Sequence, residues 1–176
     1  GGINVTAGIT TVQALQATSG TFSADSTINS ISIGKGANSV TGNTVLGQNA
    51  LDAAVTGGYN TAIGEQSMTS NTSGTENTAV GSRSLDANTT GNYNTAVGQA
   101  ALTNATTGSN NTAVGDDALE ANTTASNNTA VGKDALAANT TGNGNTAVGK
   151  GALPANTTGN NNVAVGKDAL QDNTTG

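Results

Sequence analysis

The sequence predicts an all-β chain, a parallel β-solenoid or β-roll that completes one coil every 17 residues and grows into a rod. Asparagine recurs in one register at Asn43, Asn60, Asn77, Asn94, Asn111, Asn128, Asn145 and Asn162. Four residues after each stands a glycine: Gly47, Gly64, Gly81, Gly98, Gly115, Gly132, Gly149 and Gly166. A third register holds Leu51, Met68, Leu85, Leu102, Leu119, Leu136, Leu153 and Leu170, each preceded by Ala or Ser. A constant period of this size without insertions is how stacked repeats declare themselves. Rungs about 4.8 Å apart would make the eight copies a segment on the order of 40 Å long.

Residues 1–33 stand outside that register. They carry Ile3, Val5, Ile9, Val12, Leu15, Phe22, Ile28, Ile31 and Ile33 among Thr, Ser, Asn and Gly, which predicts short β segments in a stem or adaptor. Gly34, Lys35 and Gly36 mark the entry to the shaft, residues 34–176. The unit from Asn128 to Gly144 represents the shaft and reads as two short strands and two turns. Its first strand ends in Val131, and Gly132 closes it where the backbone must bend or approach a neighbour. The second centres on Leu136, followed by the turn formers Asn139, Thr140, Thr141 and Gly142. A helix over Asp134 to Ala138 competes, but five residues barely outlast the cost of nucleation.

Alternation puts Thr129 and Val131 on one face and Ala130 on the other. The first face is expected to carry the bulkier core, and the alanine face to admit another backbone closely. The leucine register predicts one buried column. Charges such as Asp116, Asp117 and Glu120 fall after the glycine or the leucine, on a solvent-facing edge. The asparagines can either form a hydrogen-bonded ladder from rung to rung or act as simple turn caps.

Composition removes several functions. With no cysteine and no histidine, the chain lacks disulfides, thiolate metal sites and the commonest general base. Net charge is -6, and Lys35, Arg83, Lys133, Lys150 and Lys167 make no basic stripe, so nucleic acid is not an expected partner. No apolar run approaches the roughly 18 residues that a membrane span requires, and no membrane insertion is expected. The chain opens at Gly1 and stops at Gly176 in mid-pattern, so it reads as a piece of a longer polypeptide.

No enzyme, cofactor or metal is expected either. Asp52, Glu65, Asp86, Asp134 and Asp168 lie mostly on the variable edge without a catalytic partner at a telling spacing. Gly144 to Gly151 approaches a phosphate loop, but Gly151 stands where magnesium would need Ser or Thr. No aspartate recurs at every rung, as a calcium-binding β-roll demands. Triplets opening at Asn71, Asn88, Asn104, Asn122, Asn139, Asn156 and Asn173 match glycosylation acceptors, although turn chemistry accounts for them more simply.

Aromatic residues make up 2% of the chain, so each coil can bury little beyond one Val and one Leu against the entropy of ordering its backbone. That deficit predicts a homotrimer, intertwined or side by side, whose chains pool their alanine faces about a common axis.

The words Asn-Thr-Ala-Val-Gly, Ala-Leu and Asn-Thr-Thr-Gly, seen best from Asn94 to Gly176, resemble the repeats of bacteriophage tail fibres, those of cyanophages above all. The lead-in through Ile9 to Leu15, Ser19 to Ser23 and Ile31 to Ala37 looks like the stretch before such repeats. Ala-Val-Gly is also similar to the head repeats of trimeric autotransporter adhesins, whose period is about 14 residues, shorter than the one here. The resemblance implies a homotrimeric fibre shaft in a virion tail, which extends a host-receptor-binding tip and joins other fibre or baseplate proteins. Receptor contact would then belong to sequence outside this chain, since only Tyr59 and Tyr93 could stack on a sugar. A bacterial surface adhesin stalk is the alternative. An ice-binding solenoid is a third reading, although adjacent threonines such as Thr140 and Thr141 would point to opposite faces of a strand.

Overall fold

A computed structural model describes residues 26–28 and 30–176. The β segments expected around Ile3, Val5, Ile9, Val12, Leu15 and Phe22 lie outside the described residues. Ten strands form one sheet in chain order: β1 (Ser26–Ile28), β2 (Ile31–Gly34), β3 (Thr44–Gly47), β4 (Thr61–Ile63), β5 (Thr78–Val80), β6 (Thr95–Val97), β7 (Thr112–Val114), β8 (Thr129–Val131), β9 (Thr146–Val148) and β10 (Val163–Val165). From β3 onward the strands are parallel, and each residue pairs with the one 17 further along, as Thr95 does with Thr112. The shaft is therefore an all-β parallel solenoid. No α-helix occurs among the described residues, and a single 3-10 turn, Ala37–Ser39, leads into the first coil.

At the start of the stack the sheet changes direction. β1 and β2 form an antiparallel hairpin, and β2 pairs antiparallel with β3. This arrangement covers the edge of β3 that would otherwise offer unpaired backbone groups.

The inward face is the reverse of the sequence expectation. Ala62, Ala79, Ala96, Ala113, Ala130 and Ala147 are fully buried, whereas the threonine and the aliphatic residue on either side point outward, half-buried or exposed. A coil of 17 residues encloses little space. The leucine column and the asparagine carboxamides already fill most of it, and the strand can contribute only a methyl group. The alanine face is thus enclosed by the chain's own coil, and it is not left open to sister chains.

The segment around each leucine is a pair of tight turns and not a second strand. Ala100 and Leu102 adopt left-handed backbone, with φ of 52° and 53°. Reversals close through Thr103 N–H to Ala100 O and Ala105 N–H to Leu102 O, both at 3.2 Å. Left-handed backbone costs an L-residue about 1–2 kcal/mol, which full burial of the leucine, about 1.5–3 kcal/mol, offsets. The leucines from Leu51 to Leu153, with Met68 in the second coil, have no exposed surface, and Leu170 in the last coil is 49% exposed.

Backbone hydrogen bonds run along the rod axis even where no strand is present. Leu102 N–H reaches Ala118 O at 3.0 Å, Thr106 N–H reaches Thr123 O at 2.8 Å, and Ala100 N–H reaches Ser82 O at 3.0 Å. Each coil therefore satisfies the main chain of the coils on either side, which answers the requirement that buried N–H and C=O groups be paired.

Candidate functional site

The most organised chemistry in the molecule is amide chemistry inside the coil. In the column from Asn43 to Asn162, each Oδ1 through Asn145 accepts the backbone N–H of the asparagine one coil later. The bond is 2.8 Å from Asn60 to Asn43, 3.0 Å from Asn77 to Asn60 and 2.9 Å from Asn94 to Asn77. It continues at 3.0 Å from Asn111 to Asn94, 3.0 Å from Asn128 to Asn111, 2.8 Å from Asn145 to Asn128 and 2.9 Å from Asn162 to Asn145. The Nδ2 groups donate across the coil to a main-chain carbonyl 14 residues on, as Asn94 does to Gly108 and Asn111 to Ala125, at 2.8 and 2.9 Å. Asn77, Asn111 and Asn162 also donate to the Oδ1 of the preceding asparagine, at 3.1 to 3.2 Å. A side chain here does the work of a peptide group, binding the rung above while capping the turn across the coil.

The glycines that close each strand are held by a different constraint. Gly98 has φ of 137°, and a Cβ there would lie 2.4 Å from Gly115 O and 2.6 Å from its carbon. Gly64, Gly81, Gly115, Gly132 and Gly149 are confined in the same way by the next glycine, whereas at Gly166, in the last coil, a Cβ meets nothing within 4 Å. Close stacking of backbones, and not the bend alone, excludes a side chain at this position.

A second buried asparagine column, unread in the sequence, runs through Asn71, Asn88, Asn122, Asn139 and Asn156, none of which has exposed surface. Its bonds join side chain to side chain: Asn88 Nδ2 to Asn71 Oδ1 at 2.8 Å, Asn139 to Asn122 at 3.3 Å and Asn156 to Asn139 at 2.9 Å. Each Nδ2 also reaches the carbonyl three residues on, for example Asn88 to Gly91 and Asn122 to Ala125, both at 3.1 Å. The recurring Asn-Thr-Thr word was the available signal. Burial also removes these five side chains from use as glycan acceptors in the folded rod. Asn104 stands one residue before the column, which Ala105 interrupts, and it is exposed with its Nδ2 on Glu120 O at 3.0 Å.

Two outward columns run beside each other on the sheet. One consists of Ile33, Leu46, Ile63, Val80, Val97, Val114, Val131, Val148 and Val165, aligned by the strand register. The other holds Thr44, Thr61, Thr78, Thr95, Thr112, Thr129 and Thr146, followed by Val163. Val114 and Val148 are each 36% exposed. A different threonine column is internally engaged, since Thr89, Thr106, Thr123 and Thr140 donate Oγ1 to the carbonyl one coil later at 2.9 to 3.2 Å.

Charged groups stay at the rim. Lys133 donates to Asp116 one coil earlier and lies 3.7 Å from both Asp117 and Asp134. The hydrogen bond to Asp116 raises the lysine pKa, partial burial opposes that rise and the neighbouring carboxylate charges add to it, and the half-exposed position of Lys133 keeps the energetic consequence small. Among the described residues no three carboxylates gather into a metal-binding cluster, and none is long and apolar enough as a helix to cross a membrane. Scanned against protein-family models, curated proteins and solved structures, the chain matches none of them.

Proposed function

We propose that this chain is a structural shaft, part of a homotrimeric viral tail fibre that holds a host-receptor-binding tip away from the virion. The observation that carries this reading is the unbroken outward aliphatic column from Ile33 to Val165, one residue per rung in a single register. A continuous apolar stripe rimmed by polar residues favours a partner. A partner can follow it along its length only by repeating at the same spacing of about 4.8 Å per rung, which a second copy of this chain does automatically. The sister chains therefore meet through the threonine and aliphatic face.

The resemblance of the repeat words to those of cyanophage tail fibres favours the viral setting over a bacterial adhesin stalk. Other fibre or baseplate proteins are then the expected neighbours, and receptor contact belongs to other parts of the fibre. A second reading is supported by the threonine column beside the stripe. The Thr61 to Thr146 hydroxyls make no side-chain hydrogen bond among the described residues, and a regular rank of free hydroxyl and methyl groups suits an ice surface.

Native mass of the purified chain tests the proposal. Three times 16.9 kDa is expected, falling to one copy with circular dichroism unchanged when Val114 and Val148 are both replaced by lysine. A fully folded wild-type monomer would contradict the trimer, and thermal hysteresis in that monomer would transfer the face to ice. Antibody labelling of fibres on purified particles tests the virion assignment.

A further inference from the structure

We infer that the interruption at Ala105 is a built site for one buried water molecule, which replaces the carboxamide that neighbouring coils place there. Three groups converge on the position. Asn88 Oδ1 is fully buried and has no hydrogen-bond partner. By the column's own geometry it points to where an asparagine at 105 would present Nδ2, as Asn88 Nδ2 presents itself to Asn71 Oδ1.

On the other side, Asn122 Nδ2 makes one bond, to Ala125 O, where Asn88, Asn139 and Asn156 each make two. Its second hydrogen is available. The third group is Gly108 O, which accepts from Asn94 alone, whereas Gly91 O accepts from both Asn77 and Asn88 and Ala125 O from both Asn111 and Asn122.

The gap therefore holds one donor and two acceptors. Water matches this set, accepting from Asn122 and donating to Asn88 and Gly108, and three such partners are typical of a buried water. Ammonium has no acceptor for Asn122, and a halide has no donor for the two oxygens. The coil has not collapsed around the smaller residue. Ala105 N–H still reaches Leu102 O at 3.2 Å, and the rung bonds from Thr89 to Thr106 and from Thr106 to Thr123 stand at 2.9 and 2.8 Å. Exchanging a carboxamide for a hydrogen leaves three heavy atoms' worth of space, enough for one water.

Nuclear magnetic resonance on the full 176-residue chain tests the site, with water itself as the probe. A long-lived water is expected to give cross-peaks to the Asn122 side-chain amide protons. Ala105→Asn should abolish them and raise the urea midpoint, since the variant supplies the residue that six other coils already carry. Ala105→Leu should abolish them and lower the midpoint, because it leaves Asn88 Oδ1 and the Asn122 hydrogen facing hydrocarbon. Absence of the cross-peaks in the wild-type chain, or an Ala105→Leu midpoint as high as that of Ala105→Asn, would overturn the inference.

Discussion

In the column from Asn43 to Asn162 the side-chain oxygen serves the backbone N–H of the next coil, while in the column from Asn71 to Asn156 it serves the next side chain. An interruption means different things in the two. Removing a carboxamide from the first strands a main-chain donor as well as a carbonyl, and that column has no gap in eight consecutive coils. Removing one from the second strands only side-chain groups and one carbonyl lone pair, and the chain tolerates this at Ala105 while every rung bond there persists. A column bonded to the backbone is a structural requirement of the coil. A column bonded to itself is an addition that can lose a member.

The largest effect should come from the close-packed strand-end glycines, which belong to neither asparagine column. Gly98→Ala drives a Cβ to 2.4 Å from Gly115 O, forcing two coils apart. Left-handed strain of about 1–2 kcal/mol and overpacking of about 1–3 kcal/mol should together lower unfolding free energy in urea. Gly166→Ala retains only the strain, because nothing stands within 4 Å, and it should cost about 1–2 kcal/mol.

Next in size is the contrast between columns. Asn111→Ala leaves the Asn128 N–H unsatisfied, at about 1–3 kcal/mol for a buried group, and removes one of the two bonds to Ala125 O. Asn122→Ala merely extends an existing gap, and about 1 kcal/mol is expected. Equal losses in calorimetry or denaturant titration would remove the distinction. The smallest effect is a gain: Ala105→Asn completes the second column, and net hydrogen-bond contributions place the stabilisation at about 1 kcal/mol.

These contrasts also explain what the sequence could and could not reveal. A one-dimensional repeat converts directly into columns, so fixed spacing was enough to predict a parallel solenoid with asparagine, glycine and leucine each in a single file. Spacing does not say which face of Thr-Ala-Val turns inward. Ala130 is a weak core candidate by hydrophobicity, and it is enclosed because the coil is too narrow for Val131. Leu136 gave no hint of its left-handed backbone, because that conformation is usually signalled by Gly or Asn and here is held by burial of an aliphatic side chain. Asn-Thr-Thr-Gly is turn vocabulary in any fold, so the second column was hidden within a pattern that already had an explanation. The gap at Ala105 becomes visible only once that column is known.

Hydrogen exchange of the backbone amides of Asn94, Asn111 and Asn128 tests most directly whether side-chain oxygens stitch the rungs together. Protection equal to that of the central strand residues Ala96, Ala113 and Ala130 is the expected result. Exchange as fast as in the exposed last coil around Asp172 would contradict the account.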